Sequence, residues 1–142
     1  RSSDLIALIG ETPGRDEVVA GYPFAGAAGA KLNEALKTVG IERSACLVAN
    51  PFRCRPENNR INLFFASNAR IKAENLQVNG KIPPYLSGRC IVPHDEDVRI
   101  LWRRLLQYAP RVIVTLGNTA LWAVCWKIGV TKLAGKPRRA AP

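Results

Sequence analysis

The sequence predicts an α/β protein, a three-layer sandwich with a central, mainly parallel sheet. Three short apolar runs, at 5–9, 46–49 and 111–116, are typical of strands in a parallel sheet. Segments in which apolar residues recur at helical spacing lie between and after these runs. Because strands and helices alternate along the chain, helices packed on a parallel sheet are the simplest arrangement.

The elements are predicted in the order strand, helix, strand, helix, helix, strand, helix. Gly40 is a suitable stop for the first helix, and Asp95 is a suitable N-cap for the third. An irregular connection rich in Gly and Pro occupies 79–94. The helices are predicted at 28–39, 61–78, 95–108 and 118–128.

The loops that follow the three predicted strands are the places where we expect function. They cover 10–26, 50–60 and 117–119. In parallel sheets, ligands bind beyond the carboxyl ends of the strands. We expect these loops to belong to one incomplete domain at 1–131, followed by a basic, mobile tail at 132–142.

The composition indicates a polyanionic partner and a reducing compartment. The formal net charge is +10, which favours binding to nucleic acid through counterion release, although such a charge also serves solubility. The cysteines form no C-x-x-C pair and no secreted disulfide pattern, so we expect the cytoplasm of a bacterial or phage-infected cell. No apolar run approaches the roughly 20 residues of a membrane span. Because Arg1 opens a chain without Met, we expect a truncated sequence.

The first loop carries acids and glycines that suit recognition of a base. It begins with the run 10–14, GETPG, and it lacks both a P-loop Gly-Lys-Ser/Thr and a G-x-G-x-x-G. Its acids Glu11, Asp16 and Glu17 would repel a phosphate, whereas they could bind a base edge and orient a water. An ordinary strand-to-helix loop with solvated acids is the alternative.

Three motifs occur in order, each at the end of a predicted strand. The first combines GETPG with PFAG at 23–26, the second reads VANPFRCRPENNR at 48–60, and the third reads PRVIVTLGNTA at 110–120. Together they resemble the motifs of the uracil-DNA glycosylase superfamily, and they are most similar to its family-four branch, the iron–sulfur branch of thermophiles and bacteria. The long insertion around 61–90 departs from compact bacterial members, so we expect a divergent, phage-derived branch.

The resemblance implies a uracil-DNA glycosylase-like fold and a DNA repair hydrolase. Such an enzyme flips uracil, or a related base, out of DNA and hydrolyses its N-glycosidic bond in base excision repair. Glu11 and Asn50 would be catalytic, since a carboxylate can activate water and an amide can both donate and accept along the base edge. Phe24 would supply a flat apolar face, and Gly10 and Thr12 would also bind the substrate. A core position for Phe24 and an Asx turn for Asn50 are the alternatives.

Other charged residues near the motifs have simpler expected roles. Arg53, Arg55 and Arg60 cluster in the second loop, where arginines suit bidentate contacts with DNA phosphates, and a solvated basic loop is the alternative. Asp16 and Glu17 are reserve candidates for the catalytic acid, and we expect both to be solvated. The expected partner is DNA that contains uracil or a damaged base, bound by a monomer without a membrane.

The cysteines match the family-four cluster only in part. That branch is expected to hold a 4Fe-4S cluster with four cysteines, of which Cys54 matches the third and Cys90 loosely matches the fourth. The C-x-x-C expected before the first strand is absent from this chain. We therefore expect no cofactor in the chain as given, and a cluster only in a full-length form.

A second departure leaves another function open, and the acids of the first loop leave a third. Family members carry a later His-Pro-Ser-type motif, but His94 precedes the third strand, so we expect it to be a cap or surface residue before Asp95. One alternative is therefore a catalytically weak or inactive homologue that binds uracil-containing DNA. The other is a metal-dependent nucleotide hydrolase in which Glu11, Asp16 and Glu17 gather a metal.

Overall fold

The protein structure, a computed structural model, describes residues 6–126. The predictions for residue 5, for 127–128 and for the tail at 132–142 lie outside this range. Within it, the strands are β1 (Ile6–Ile9), β2 (Leu47–Ala49), β3 (Phe65–Ala66), β4 (Arg89–Cys90) and β5 (Val112–Thr115). The helices are α1 (Arg15–Ala20), α2 (Ala27–Thr38), α3 (Asn68–Glu74), α4 (Asp95–Tyr108) and α5 (Asn118–Cys125). Each helix in this range is too short or too polar to cross a membrane.

The centre of the fold is a parallel sheet with the strand order β2-β1-β5. Ile9 at the end of β1 is aligned with Ala49 on one side and with Thr115 on the other. All residues of β1 from Ala7 onward are buried, as expected for a central strand. Helices flank this sheet, so the predicted α/β fold class is confirmed.

The helix predicted at 61–78 is wrong both before Asn68 and after Glu74. A 3₁₀ turn at Ile61–Phe64 leads into β3, and only α3 is α-helical. The backbone of β3 pairs in antiparallel orientation with β4, where Phe65 is aligned with Cys90. Sheet hydrogen bonds with a distant segment therefore replace the local helical bonds that the sequence favours.

One additional helix and one helix N-cap also differ from the predictions. The loop at 10–26 contains the short helix α1. Helix α4 begins at Asp95, so His94 takes the N-cap position, while the Asp95 carboxylate accepts a hydrogen bond from Asn79 Nδ2 at 2.9 Å. The His94 ring stacks on Phe64 with ring centroids 3.9 Å apart, and burial lowers the pKa of His94. His94 is thus a structural residue at a helix start, as expected.

An aromatic cluster joins the loop after β2 to the segment at 61–90 and to α5. The Phe52 ring is fully buried and stacks on Trp122 at a centroid distance of 6.3 Å. On truncation to Ala, a buried aromatic of this kind typically costs about 3–5 kcal/mol of stability. The cluster therefore fixes the positions of segments that are distant in sequence. Its members are Phe52, Phe64, Phe65, Tyr85 and Trp122.

Candidate active site

The carboxyl ends of the three parallel strands meet at one edge of the sheet. The Gly10 N–H donates to the Ala49 carbonyl at 3.0 Å, and the Leu116 N–H donates to the Ile9 carbonyl at 2.8 Å. Gly10, Asn50 and Leu116, each the first residue after its strand, therefore lie side by side. This register brings the three predicted functional loops to one place.

An open cavity of about 510 Å³ lies at this edge. Glu11, Phe24 and Asn50 all line it, together with Gly10 and Thr12. The structure therefore brings together every residue that the sequence predicted for catalysis and substrate binding. The chemical role of each residue stays a prediction. Leu32, Lys31 and Leu116 also line the cavity.

Gly10 allows Phe24 and Asn50 to approach each other. A Cβ atom at position 10 would lie 2.5 Å from Asn50 Oδ1 and 2.6 Å from Phe24 Cζ. Both distances are shorter than side-chain contacts in proteins allow. Gly10 is therefore required here for the space that it leaves between the ring and the amide.

The Phe24 backbone has a strained conformation that Arg43 holds through two carbonyl groups. Phe24 has φ of 55°, in the left-handed region that residues other than glycine rarely adopt. The Arg43 guanidinium donates to the Phe24 carbonyl at 2.9 Å and also to the Pro23 carbonyl. Arg43 Cζ lies 5.9 Å from the centroid of the Phe24 ring. No local pattern in the sequence points to Arg43, because it lies 19 residues from Phe24.

Glu17 holds the same segment through its N–H groups. Its Oε2 accepts hydrogen bonds from the N–H groups of Ala25 at 3.2 Å and Gly26 at 2.9 Å, and its Oε1 accepts one from the Gly14 N–H at 3.0 Å. The expectation that Glu17 is a solvated surface acid is therefore wrong. Asp16, in contrast, has a side chain that is 59% exposed, in agreement with the expectation.

The Glu11 carboxylate receives a hydrogen bond from a buried hydroxyl. Thr119 Oγ1 donates to Glu11 Oε2 at 2.6 Å, and Tyr85 Oη lies 3.1 Å from the same hydroxyl oxygen. Thr119 is fully buried and Tyr85 is 7% exposed. Sequence reasoning selected neither residue, although Thr119 lies within the third motif.

The arginines of the second loop are exposed on the loop that begins at Asn50. Arg53 donates to the Asp97 carboxylate from Nε at 2.8 Å and from its backbone N–H at 2.9 Å, and the same carboxylate raises the pKa of Arg53. Arg55 Nε donates to Asn59 Oδ1 at 2.9 Å. Both arginines and Arg60 are exposed, so their guanidinium groups are accessible to a phosphate backbone.

The two candidate cluster ligands have unlike environments. Cys54 is exposed, whereas Cys90 is fully buried in β4. Burial raises the pKa of Cys90 to about 12, and the nearby charges of Asp95 and Asp97 act in the same direction. Iron is ligated by thiolates, and this environment opposes the thiolate form.

The described residues do not supply a complete metal site. Between residues 6 and 126, no three His, Cys, Asp or Glu side chains are grouped so that they could hold a metal ion. The residues therefore do not fit a four-thiolate cluster by themselves. Glu11, Asp16 and Glu17 likewise form no such group, so the metal-dependent alternative lacks its predicted ligand set.

Comparison with known proteins identifies the family to which this chain is similar. The family described as "Uracil DNA glycosylase superfamily" matches residues 3–138. A Type-4 uracil-DNA glycosylase from Sulfurisphaera tokodaii is 31% identical over 137 residues, covering 92% of this chain and 50% of that protein. The Thermotoga maritima protein of the same name is 31% identical over 134 residues, covering 93% and 56%.

The similarity is strongest over a shorter stretch. The Type-4 uracil-DNA glycosylase of Archaeoglobus fulgidus is 49% identical over 55 residues, which cover 39% of this chain and 28% of that protein. This chain spans about half the length of the curated relatives that it matches along most of its own length.

Proposed function

Because this chain belongs to the uracil DNA glycosylase superfamily, we propose that it removes uracil, or a related damaged base, from DNA by hydrolysing the N-glycosidic bond. The observation that carries this proposal is the meeting of Glu11, Phe24 and Asn50 at one cavity beyond the parallel strands. The cavity volume of about 510 Å³ is typical of a small-molecule site.

Base binding in this proposal uses one ring and one amide. A base that leaves the duplex loses its stacking partners, and the Phe24 ring replaces them with an apolar face. The Asn50 amide can donate to a uracil carbonyl and accept from the uracil N3–H, a pattern that cytosine does not offer. Gly10 keeps the ring and the amide close enough to contact the same base.

Bond cleavage in this proposal depends on Glu11 and Asn50. The bond between the sugar C1′ and the base nitrogen breaks, and its electron pair leaves with uracil while water adds its oxygen to C1′. Glu11 stabilises the positive charge that develops on the sugar and accepts the proton of the attacking water. Asn50 donates to the uracil oxygen on which negative charge develops.

DNA binding is assigned to the exposed arginines of the loop that begins at Asn50. Arg53, Arg55 and Arg60 are exposed on this loop, and the chain carries a net charge of +10. Contacts between arginine and phosphate would position the strand without reading its sequence. We infer that the protein acts on DNA as a monomer. The cysteines form no secreted disulfide pattern, which favours the cytoplasm of a bacterial or phage-infected cell.

An iron–sulfur cluster enters this proposal only for a longer form of the protein. The exposed Cys54 could supply one thiolate there, and a loaded cluster would stabilise the chain around it. The raised pKa of Cys90 makes it the weaker candidate for a second ligand. No step of the proposed reaction passes through the cluster.

Release of uracil from an oligonucleotide tests the proposal. The protein would be incubated with single- and double-stranded DNA that carries one uracil, and abasic sites would be detected as strand breaks after alkaline treatment. We expect release by the wild type and a loss of about 100-fold or more for Glu11→Ala and Asn50→Ala. Asp16→Asn, at an exposed acid in the same loop, is the matched control and should retain activity.

Two other outcomes would favour other functions. Tight, selective binding to uracil-containing DNA without any release would support a binding homologue instead of an enzyme. Hydrolysis of a nucleotide that requires an added divalent metal and is abolished by chelation, without release of uracil from DNA, would support the metal-dependent nucleotide hydrolase. Either result would overturn the glycosylase proposal.

A further inference from the structure

We infer that Tyr85 and Thr119 are positioning residues that orient the Glu11 carboxylate through a directed chain of hydrogen bonds. This inference rests on the proposed function, since it assigns Glu11 to the reaction. It also gives the segment at 61–90 a part in the active site. Neither residue lines the cavity, so both would act through Glu11.

The bond between Thr119 and Glu11 fixes one carboxylate oxygen. Thr119 Oγ1 lies 2.6 Å from Glu11 Oε2, a short distance that is typical of a hydroxyl donating to a carboxylate. Thr119 is fully buried, so water does not compete for its hydroxyl. It lies in the first turn of α5, directly after the Gly117 turn that ends β5. The sheet and the helix together therefore set its position.

The direction of the second bond follows from the first. A threonine hydroxyl has one proton, and Thr119 uses it toward Glu11, so Tyr85 must be the donor across the 3.1 Å between the two hydroxyl oxygens. Burial raises the pKa of Tyr85, which keeps its phenol protonated and able to donate. A bond donated to Thr119 strengthens the bond that Thr119 donates onward.

The Tyr85 ring is held on several sides, so its hydroxyl has a defined position. The ring stacks on Trp122 at a centroid distance of 5.1 Å and contacts the edge of Phe65 at 5.3 Å. Its backbone exchanges two hydrogen bonds of 3.0 Å with Gly88 in a tight turn. The segment at 61–90 thus presents a rigid donor to Thr119, which in turn donates to the Glu11 carboxylate.

The consequence for the reaction concerns the second oxygen of Glu11. Because Oε2 accepts the hydrogen bond from Thr119, a water at the carboxylate would donate its hydrogen bond to Oε1. The hydrogen-bond chain sets the orientation of that oxygen. Orientation of a reacting group of this kind contributes strongly to rate. Loss of the chain should therefore slow base release while leaving DNA binding intact.

Two isosteric substitutions and one conservative substitution test the chain. Thr119→Val and Tyr85→Phe each remove one hydroxyl but keep the packing, and Thr119→Ser keeps the donor. In single-turnover assays we expect Thr119→Val to slow uracil release about 10- to 100-fold, Tyr85→Phe about 3- to 10-fold, and Thr119→Ser less than about 3-fold. Binding to uracil-free DNA should change less than about 2-fold in all three. Equal rates for Thr119→Val and the wild type would overturn the inference.

A double-mutant cycle separates action through Glu11 from a general structural role. In a Glu11→Ala background, Thr119→Val should cause no further loss of rate, because its target is already absent. A Thr119→Val defect of the same size in both backgrounds would contradict the inference. Loss of rate in Thr119→Val together with weakened DNA binding would also contradict it.

Unfolding experiments keep the inference testable if the protein releases no base. The same cycle would then be measured on the equilibrium constant for unfolding by urea. We expect Thr119→Val and Glu11→Ala to be coupled by about 3-fold or more in that constant, since they share one buried bond. Additive effects would overturn the inference, whereas absence of release with intact coupling would overturn only the proposed function.

Discussion

Arg43 lies across the backbone of Phe24, with its guanidinium bonded to the Phe24 carbonyl at 2.9 Å and its Cζ 5.9 Å from the centroid of the ring. One side chain therefore contacts both the strained backbone and the aromatic face of the same residue. Phe24 has φ of 55°, a conformation that costs of order 1–3 kcal/mol and persists only where neighbours enforce it. Arg43 and Glu17 are those neighbours, and the cavity owes the orientation of its apolar wall to them.

Replacement of Arg43 should weaken substrate binding more than it slows chemistry. In Arg43→Ala the Phe24 segment loses two charge-assisted hydrogen bonds, so we expect KM for a uracil oligonucleotide to rise about 10-fold with a change in kcat below about 3-fold. The KM of Arg43→Lys should lie between those of the wild type and Arg43→Ala, since the ammonium group of lysine lacks the planar fork of a guanidinium. Steady-state kinetics measure this, with the exposed Arg104→Ala as control. An unchanged KM in Arg43→Ala would contradict the assigned role.

A methyl group at position 10 should fill the space between the Phe24 ring and the Asn50 amide. The added Cβ would lie 2.5 Å from Asn50 Oδ1, so Gly10→Ala must displace the amide or the ring. We expect base release to fall about 100-fold or more, as for other misplacements of about 1 Å. Gly80→Ala is the matched control because a Cβ there meets nothing within 4 Å. Equal activity of the two variants would show that the space between the Phe24 ring and the Asn50 amide does not bind the base.

The loop arginines should act on affinity without affecting base preference. Arg53→Ala should weaken binding to uracil-containing and normal DNA by the same factor and should reduce the slope of log K against log salt by about 1. Arg99→Ala, at an exposed arginine of α4, should leave that slope unchanged. Fluorescence anisotropy at several salt concentrations measures both. If Arg53→Ala alters only binding to uracil-containing DNA, the phosphate role is wrong.

The thiols of Cys54 and Cys90 should differ sharply in reactivity. Thiol reagents attack the thiolate, and burial raises the pKa of Cys90 to about 12. At pH 8 we therefore expect a maleimide to label the exposed Cys54 within minutes and to label Cys90 only after denaturation. Peptide mapping by mass spectrometry reads both sites in one sample. Labelling of Cys90 in the folded protein at the rate of Cys54 would contradict the buried position in β4.

Much of the fold and of the cavity could be predicted because both depend on the ends of parallel strands. The apolar runs that became β1, β2 and β5 have little alternative in a chain that alternates strands and helices. Once those strands are parallel, Gly10 and Asn50 must lie at the same edge of the sheet. Glu11 and Phe24 follow from the same rule together with the motif resemblance.

The remainder could not be predicted because it depends on contacts between distant residues. Tyr85 and Thr119 are 34 residues apart, and no local pattern indicates that their hydroxyls meet. Glu17 has the sequence context of a solvated acid, and only the fold of the loop brings two N–H groups to its carboxylate. The local sequence of β3 favours a helix, because the strand β4 with which it pairs lies about 24 residues away along the chain.

The most direct test of the proposed base site is the response of the Asn50 side chain to uracil in DNA. Nuclear magnetic resonance would follow the Asn50 side-chain amide while an oligonucleotide carrying 2′-fluorodeoxyuridine, which resists hydrolysis, is added. We expect the amide resonances and the Phe24 ring resonances to shift together, with no such shift for the same oligonucleotide with a normal base. Tight binding of the uracil oligonucleotide that leaves both residues unshifted would contradict the proposed site.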